Sequence, residues 1–107
     1  MATTDALVVL VTVPNAETAE KLAEALVGER LAACVNVLDG VRSIYRWKGA
    51  VERDDELLCI CKTTRDGFEK LRARVVELHP YDVPEVVALP IELGHTPYLA
   101  WLTASVG

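Results

Sequence analysis

Apolar positions along this chain alternate between the two-residue period of a strand and the helical period. Leu7, Val8, Val9, Leu10, Val11, Thr12 and Val13 form a continuous, largely β-branched run, which predicts a central strand buried on both faces. Pro14 ends it. Asn15 is then placed to cap a helix whose apolar residues Ala16, Ala19, Leu22, Ala23, Leu26 and Val27 fall at i, i+3, i+7 spacing, with Glu17 in the first turn and Gly28 at the stop. A second strand is predicted from about Ala32. Its Asp39-Gly40 step signals a bulge or kink rather than an end, and the pattern resumes through Val41, Ile44, Tyr45 and Trp47. Lys48-Gly49 turns it into a third strand reaching Thr63. A second helix is expected from Thr63 or Thr64, with Phe68, Leu71, Val75 and Leu78 inward, and it must stop at His79 because Pro80 forces the residue before it out of the helical region. Val83 to Leu89 is the predicted fourth strand. Thr96 as N-cap and Pro97 at the first helical position open a short last helix carrying Tyr98, Leu99, Trp101 and Leu102.

The order β-α-β-β-α-β-α, joined by right-handed crossovers, predicts an α+β ferredoxin-like sandwich with both main helices on one face of an antiparallel sheet. A single domain, 1–107, accounts for the whole chain. Arms of the central hairpin would reach about 50 Å at roughly 3.3 Å per residue, whereas a domain of this size has a radius of gyration of about 13 Å. The hairpin must overhang its own core. Tyr45 and Trp47 on one face of that overhang, beside unpaired strand edges, call for cover from another chain, which implies a homo-oligomer built by strand addition.

A hydrophobic share of 51% makes the chain globular, and a formal charge of −5 with no Lys/Arg cluster argues against nucleic acid as a partner. No apolar stretch approaches the roughly 18 residues of a membrane span, and no secretory signal is visible, so the expected compartment is cytoplasmic. Cys34, Cys59 and Cys61 cannot all pair within one chain. Cys59 and Cys61, two apart in an extended run, would point to one face about 6.6 Å apart, with parallel side chains unsuited to a disulfide, and read as reduced, buried thiols.

One segment concentrates polar chemistry: His79, Pro80, Tyr81, Asp82, Val83, Pro84 and Glu85 run straight into Val86, Val87, Ala88 and Leu89. The two prolines hold an imidazole, a phenol and two carboxylates near a strand mouth.

Several stretches resemble the CutA family of divalent-cation tolerance proteins: Arg30 to Val37 (RLAACVNV), Ser43 to Gly49 (SIYRWKG), Lys62-Thr63-Thr64, His79 to Ile91 (HPYDVPEVVALPI) and Tyr98 to Leu102 (YLAWL). The resemblance spans nearly the whole chain in order. It implies a ferredoxin-like homotrimer whose long hairpins pair with neighbouring subunits, as in PII signalling proteins. It also implies a cytoplasmic protein tied to tolerance of divalent metals, with copper the usual label and no reaction attached. Some relatives carry a metal-related cysteine in the first strand, where this chain has Val11.

Copper or another divalent cation would need converging soft or borderline ligands, and the candidates are Cys34, His79 and Glu85. Against them, Cys34 in its apolar setting reads as a small core residue, and His79 at a helix C-terminus is favoured as imidazolium, which cannot ligate. Asp54-Asp55-Glu56 reads as a charged hairpin edge that resists aggregation. A second expectation is a cleft for a small anionic metabolite between subunits, built from Asn36, Tyr45, Trp47, Lys62, Tyr81 and Glu85, with Lys62 either snorkelling to solvent or pairing with Glu85. In the bland alternative these aromatics only pack an interface and the charges form one ion pair. His79 with Glu85 or Asp82 and Cys34 could make an acid/base and nucleophile set, yet no phosphate-cradling loop, nucleophile elbow or oxyanion signature accompanies them, so no enzyme and no organic cofactor is expected. His95 reads as a solvated loop residue, Trp101 and Leu102 as core or interface.

Overall fold

In the computed structural model, which describes residues 4–107, the first apolar run becomes β1 (Ala6–Val13). Val9, Val11 and Val13 are fully buried, whereas Val8, Leu10 and Thr12 on the opposite face are only partly covered. α1 (Ala16–Gly28) starts at Asn15, whose Oδ1 accepts from the Thr18 N–H at 2.8 Å, and it buries Ala19, Leu22 and Leu26. β2 (Cys34–Trp47) and β3 (Ala50–Thr64) form the long hairpin. α2 (Phe68–Leu78), β4 (Val87–Pro90) and α3 (Thr96–Ser105) complete the chain. Strand order is β2-β3-β1-β4, with every neighbouring pair antiparallel. Leu22 and Leu26 of α1 and Leu71 and Val75 of α2 pack with Val9, Val11, Val13, Cys59 and Cys61 into one core, so both helices lie on one face of the sheet. This is the ferredoxin-like α+β sandwich that the element order predicts.

Among the boundaries that differ from expectation, α3 begins one residue early, with His95 and not Thr96 at its N-cap. Thr63 and Thr64 do not open α2; they extend β3 opposite Leu7 and Ala6, with the buried Thr63 hydroxyl donating to the Leu31 carbonyl and the Thr64 hydroxyl accepting from the Gly67 N–H. β4 is shorter than Val83–Leu89. Only Val87 to Pro90 pair with β1, because Pro84 has no N–H to give and the Thr12 carbonyl, just past the paired segment Leu7–Leu10, is taken by the His79 ring.

The Asp39-Gly40 signal is a bulge. Leu38 pairs with Leu58 and Val41 with Glu56, so Asp39 and Gly40 (φ 76°) stand opposite Leu57 alone. The extra residue reverses side-chain parity in β2. Cys34, Asn36 and Leu38 share the face of Lys62, Ile60 and Leu58; beyond the bulge Val41, Ser43, Tyr45 and Trp47 take that face, opposite Glu56, Asp54, Glu52 and Ala50. β1 ends opposite Leu57, so the hairpin from Val41 to Glu56 continues as a two-stranded overhang. The described chain measures 45 × 26 × 23 Å with a radius of gyration of 14.4 Å, above the value of about 13 Å for a compact chain of this length.

Away from the main helices, α3 covers one end of the sheet by setting Leu102 against Ala6 and Ala33. Arg30 fastens its end, donating from Nε to the Gly107 carbonyl and from Nη2 to the Ala104 carbonyl, both at 2.8 Å. The rest of this face stays open: Leu38, Val87 and Leu89 are exposed beside half-covered Val8, Leu10, Leu58 and Ile60.

At the hairpin tip Lys48 (φ 49°) and Gly49 (φ 82°) both occupy the left-handed region between paired Trp47 and Ala50. Two such residues in a two-residue loop give the turn whose twist matches the flanking strands. Gly49→Ala should lower stability by about 1–2 kcal/mol, and Lys48→Gly should move it the opposite way; midpoints of guanidinium unfolding check both.

Candidate functional site

Pro80 does what the sequence requires of it: His79 has φ −80° and ψ 138°, and α2 stops there. That bend drives the imidazole into the protein, where it is 7% exposed. Nε2 donates to the Thr12 carbonyl at 2.7 Å, and Nδ1 accepts from the Tyr81 N–H at 3.2 Å. A carbonyl can only accept and an amide N–H can only donate, so the ring is the neutral Nε2–H tautomer with both nitrogens engaged. The imidazolium expected from the helix terminus is therefore not what the contacts require. His79 is a fastener joining the end of α2 to β1.

Tyr81 rests its ring on His79, with centroids 4.6 Å apart, and its hydroxyl donates to Glu56 Oε2 at 2.9 Å. Glu56 is 6% exposed. A buried carboxylate with a phenol partner is no part of a charged hairpin edge, which corrects that reading for Glu56, while Asp54 and Asp55 stay exposed. Asp54 also has a partner, since the Tyr45 hydroxyl donates to it. Burial, then the Glu56 hydrogen bond, pushes the Tyr81 phenol up to about 12; the Asp54 hydrogen bond does the same for Tyr45, also to about 12. Around these pairs lies a hollow of about 480 Å³ that also meets Thr12, Arg42 and Glu85, and beside it one of about 220 Å³ between Tyr45, Trp47, Tyr81, Asp54, Asp82 and Val83.

The remaining expected residues sit elsewhere. Lys62 donates to Asn36 Oδ1 at 2.6 Å and its Nζ lies 3.7 Å from Cys34 Sγ; the Tyr98 hydroxyl is 3.7 Å from the same sulfur. Lys62 pairs opposite Val8, whereas His79 meets β1 at Thr12, four residues on, or about 13 Å along the strand. Lys62 and Glu85 thus form no ion pair within the chain. The expected cleft divides in two: Tyr45, Trp47, Tyr81 and Glu85 at the hairpin root, Asn36 and Lys62 with Cys34 under α3. The expected metal ligands divide in the same way, with Cys34 apart from His79 and Glu85, and among the described residues no group of three His, Cys, Asp or Glu side chains gathers within one chain. Glu56, Asp54, Arg42 and Tyr98 are not among the expected site residues, and Asp82 is expected only as an acid/base partner of His79. Parity beyond the Asp39-Gly40 bulge would have put Asp54 and Glu56 on the face of Tyr45. All three cysteines are free, and burial raises the thiols of Cys59 and of Cys61, the latter to about 12.

The family model described as CutA1 divalent ion tolerance protein matches residues 7–105. The Divalent-cation tolerance protein CutA of Thermus thermophilus is 58% identical over 100 residues, covering 94% of this chain and 97% of that protein. The chain belongs to the CutA1 divalent ion tolerance family. A solved structure of the divalent cation tolerance protein from Thermus thermophilus superposes with a TM-score of 0.94 at 57% identity, covering 95% of this chain and 99% of that one. The chloroplastic CutA of Arabidopsis thaliana is 50% identical over 103 residues, which are 96% of this chain but 57% of the plant protein. A CutA structure from Archaeoglobus fulgidus, named periplasmic, superposes with a TM-score of 0.92 at 34% identity, covering 95% of this chain and 99% of that one. CutA relatives thus carry names from several compartments, and the family is named for tolerance and not for a reaction.

The hydrogen-bonded phenols of this CutA chain set a titration. The chain has three tyrosines, and Tyr98 is also raised, by its contact with Cys34. A phenol raised in the folded state stabilises the fold fully below the unfolded value near 10 and loses that contribution as pH rises through about 12. Phenolate absorbance should therefore stay low at pH 10 in the folded protein, and unfolding midpoints should fall between pH 10 and 12, less steeply in a Tyr45→Phe, Tyr81→Phe double variant.

Proposed function

We propose that this chain acts in divalent-cation tolerance as a non-enzymatic homotrimer of the cytoplasm. Its sites for copper or another divalent cation, or for a small ligand, lie at the seams between subunits. The observation that carries this reading is the open face of the sheet, apolar from Leu38 and Leu58 through Leu10 to Leu89, on a molecule whose hairpin overhangs its core. Covering apolar surface is worth about 25 cal/mol per Å², and β2 offers an edge to which another strand can add. Copies of the chain satisfy both needs together. The number three follows the PII-like arrangement that the family resemblance implies, and the cytoplasm suits three unpaired thiols.

Assembly also supports a cation site that one chain does not complete. His79 has no free nitrogen, so the donors on offer are the half-buried Cys34 thiol and, at the hairpin root, Glu85, which shares its hollow with Glu56. Copper selects thiolate, while harder cations select carboxylate. Native mass spectrometry should give three times the 11.7 kDa chain mass, and Leu10→Asp with Leu89→Asp should dissociate it. In copper calorimetry Cys34→Ser and Glu85→Gln should each weaken binding about tenfold or more without loss of the trimer; unaltered affinity in both removes them as ligands.

A second reading, a PII-like trimer that binds a small anionic metabolite and holds no specific metal, draws on Lys62. Among the described residues its ammonium meets the Asn36 amide and no carboxylate, which leaves its charge uncompensated in a partly buried place. In that case Lys62→Ala abolishes binding of an anion found by thermal-shift screening while the mass stays trimeric, and binding that survives the change puts the anion elsewhere.

A further inference from the structure

We infer that the hollow between Tyr45, Trp47 and Tyr81 is a cage for an organic ammonium cation, a methylated or quaternary ammonium head, with Asp54 and Asp82 supplying the counter-charge. The inference rests on the seam-site reading above and names the ligand class for its hairpin-root half.

Three aromatic side chains converge here for separable reasons. Tyr45 and Trp47 lie two apart in β2 beyond the bulge and so share a face, and Tyr81 is carried to them by the Pro80 bend. Tyr81 cannot swing freely, being held at one end by the His79 ring and at the other by Glu56. The space left, about 220 Å³, suits a small head group, and its remaining lining is Asp54, Asp82 and Val83. No Lys or Arg is among those residues.

The chemistry then selects the occupant. Aromatic ring faces are negative and attract weakly hydrated cations, and two carboxylates deepen that preference. Both phenol hydroxyls are committed as donors to Asp54 and Glu56, so they offer no proton to an anion. The anion expected from the sequence is thus disfavoured at this end of the open face. A bare divalent ion fits poorly too: hard cations take six or more oxygen ligands, and rings cannot replace a water shell. An alkylated ammonium loses little hydration and can lie against Tyr45, Trp47 and Tyr81, which all line the hollow. The chain itself already shows the attraction, because the Lys48 ammonium stands 5.9 Å from the Trp47 ring centroid.

The test uses the intact assembly, with choline and tetramethylammonium chlorides as probes and 3,3-dimethyl-1-butanol, the uncharged isostere of choline, as control, all at matched ionic strength. Choline should saturably perturb tryptophan fluorescence, with the neutral isostere about tenfold weaker or more. Trp47→Leu and the surface change Asp82→Asn should each weaken choline several-fold, whereas Trp101→Phe should not. Should Trp47→Leu disturb folding by circular dichroism, Trp47→Phe replaces it and should bind with intermediate affinity. Equal binding of the uncharged isostere, or no saturable binding by an intact trimer, overturns the cage and leaves the seam reading standing. Saturable choline binding by a monomer overturns the seam reading and keeps the cage, and a monomer that binds no choline overturns both.

Discussion

A β-strand sends successive side chains to opposite faces, and β1 is apolar on both while the chain has main helices for only one. Val9, Val11 and Val13 are closed off by α1 and α2. Val8 and Leu10 have α3 nearby, but its hold is confined to the end of the sheet around Ala6 and Ala33. This shortage of cover leaves an open apolar face with polar chemistry at its two ends.

The elements whose causes are local were legible in the sequence. Asn15 caps α1 through its own side chain, Pro80 stops α2, Asp39-Gly40 makes a bulge and Lys48-Gly49 a tight turn, each decided by residues a few positions away. Boundaries set by distant partners were not. Thr63 and Thr64 have the chemistry of a helix start, yet β1 was available to pair with them, and a ladder with buried hydroxyl bonds prevailed over a cap. β4 lost its first half to a competitor from another element, the His79 ring, which took the Thr12 carbonyl.

The candidate residues could be read from the sequence by type but not by grouping. Tyr45, Trp47, Tyr81 and Glu85 do converge at the hairpin root, and Lys62, Asn36 and Cys34 do form a cluster, but the sheet keeps the two apart. Distance along a strand needs the register, and the register of β2 changes at the bulge. Had β2 run without it, Tyr45 and Trp47 would face the other way and Asp54 would have no phenol partner. The misreading of His79 has the same origin: a helix end favours a charged imidazole, but a backbone carbonyl on one nitrogen and an amide on the other favour the neutral ring.

His79 also explains why the hairpin root can be an ordered site although its residues come from a loop and an overhang. A two-stranded ribbon alone is marginal, and a proline-bounded loop alone has no anchor. Here the ring fixes the loop to β1, Tyr81 carries that constraint to Glu56, and Glu56 lies on β3 at the point where β1 ends and the overhang begins. The aromatic face of the ribbon is thereby referred to the helical core through three consecutive contacts. At the opposite end nothing of this kind is needed, because Cys34, Asn36 and Lys62 sit in the paired part of β2 and β3 with Tyr98 of α3 above the sulfur. One face, limited in cover, thus carries a cation-attracting end and a cationic end, and copies that close over its apolar middle would bring both under the same seam.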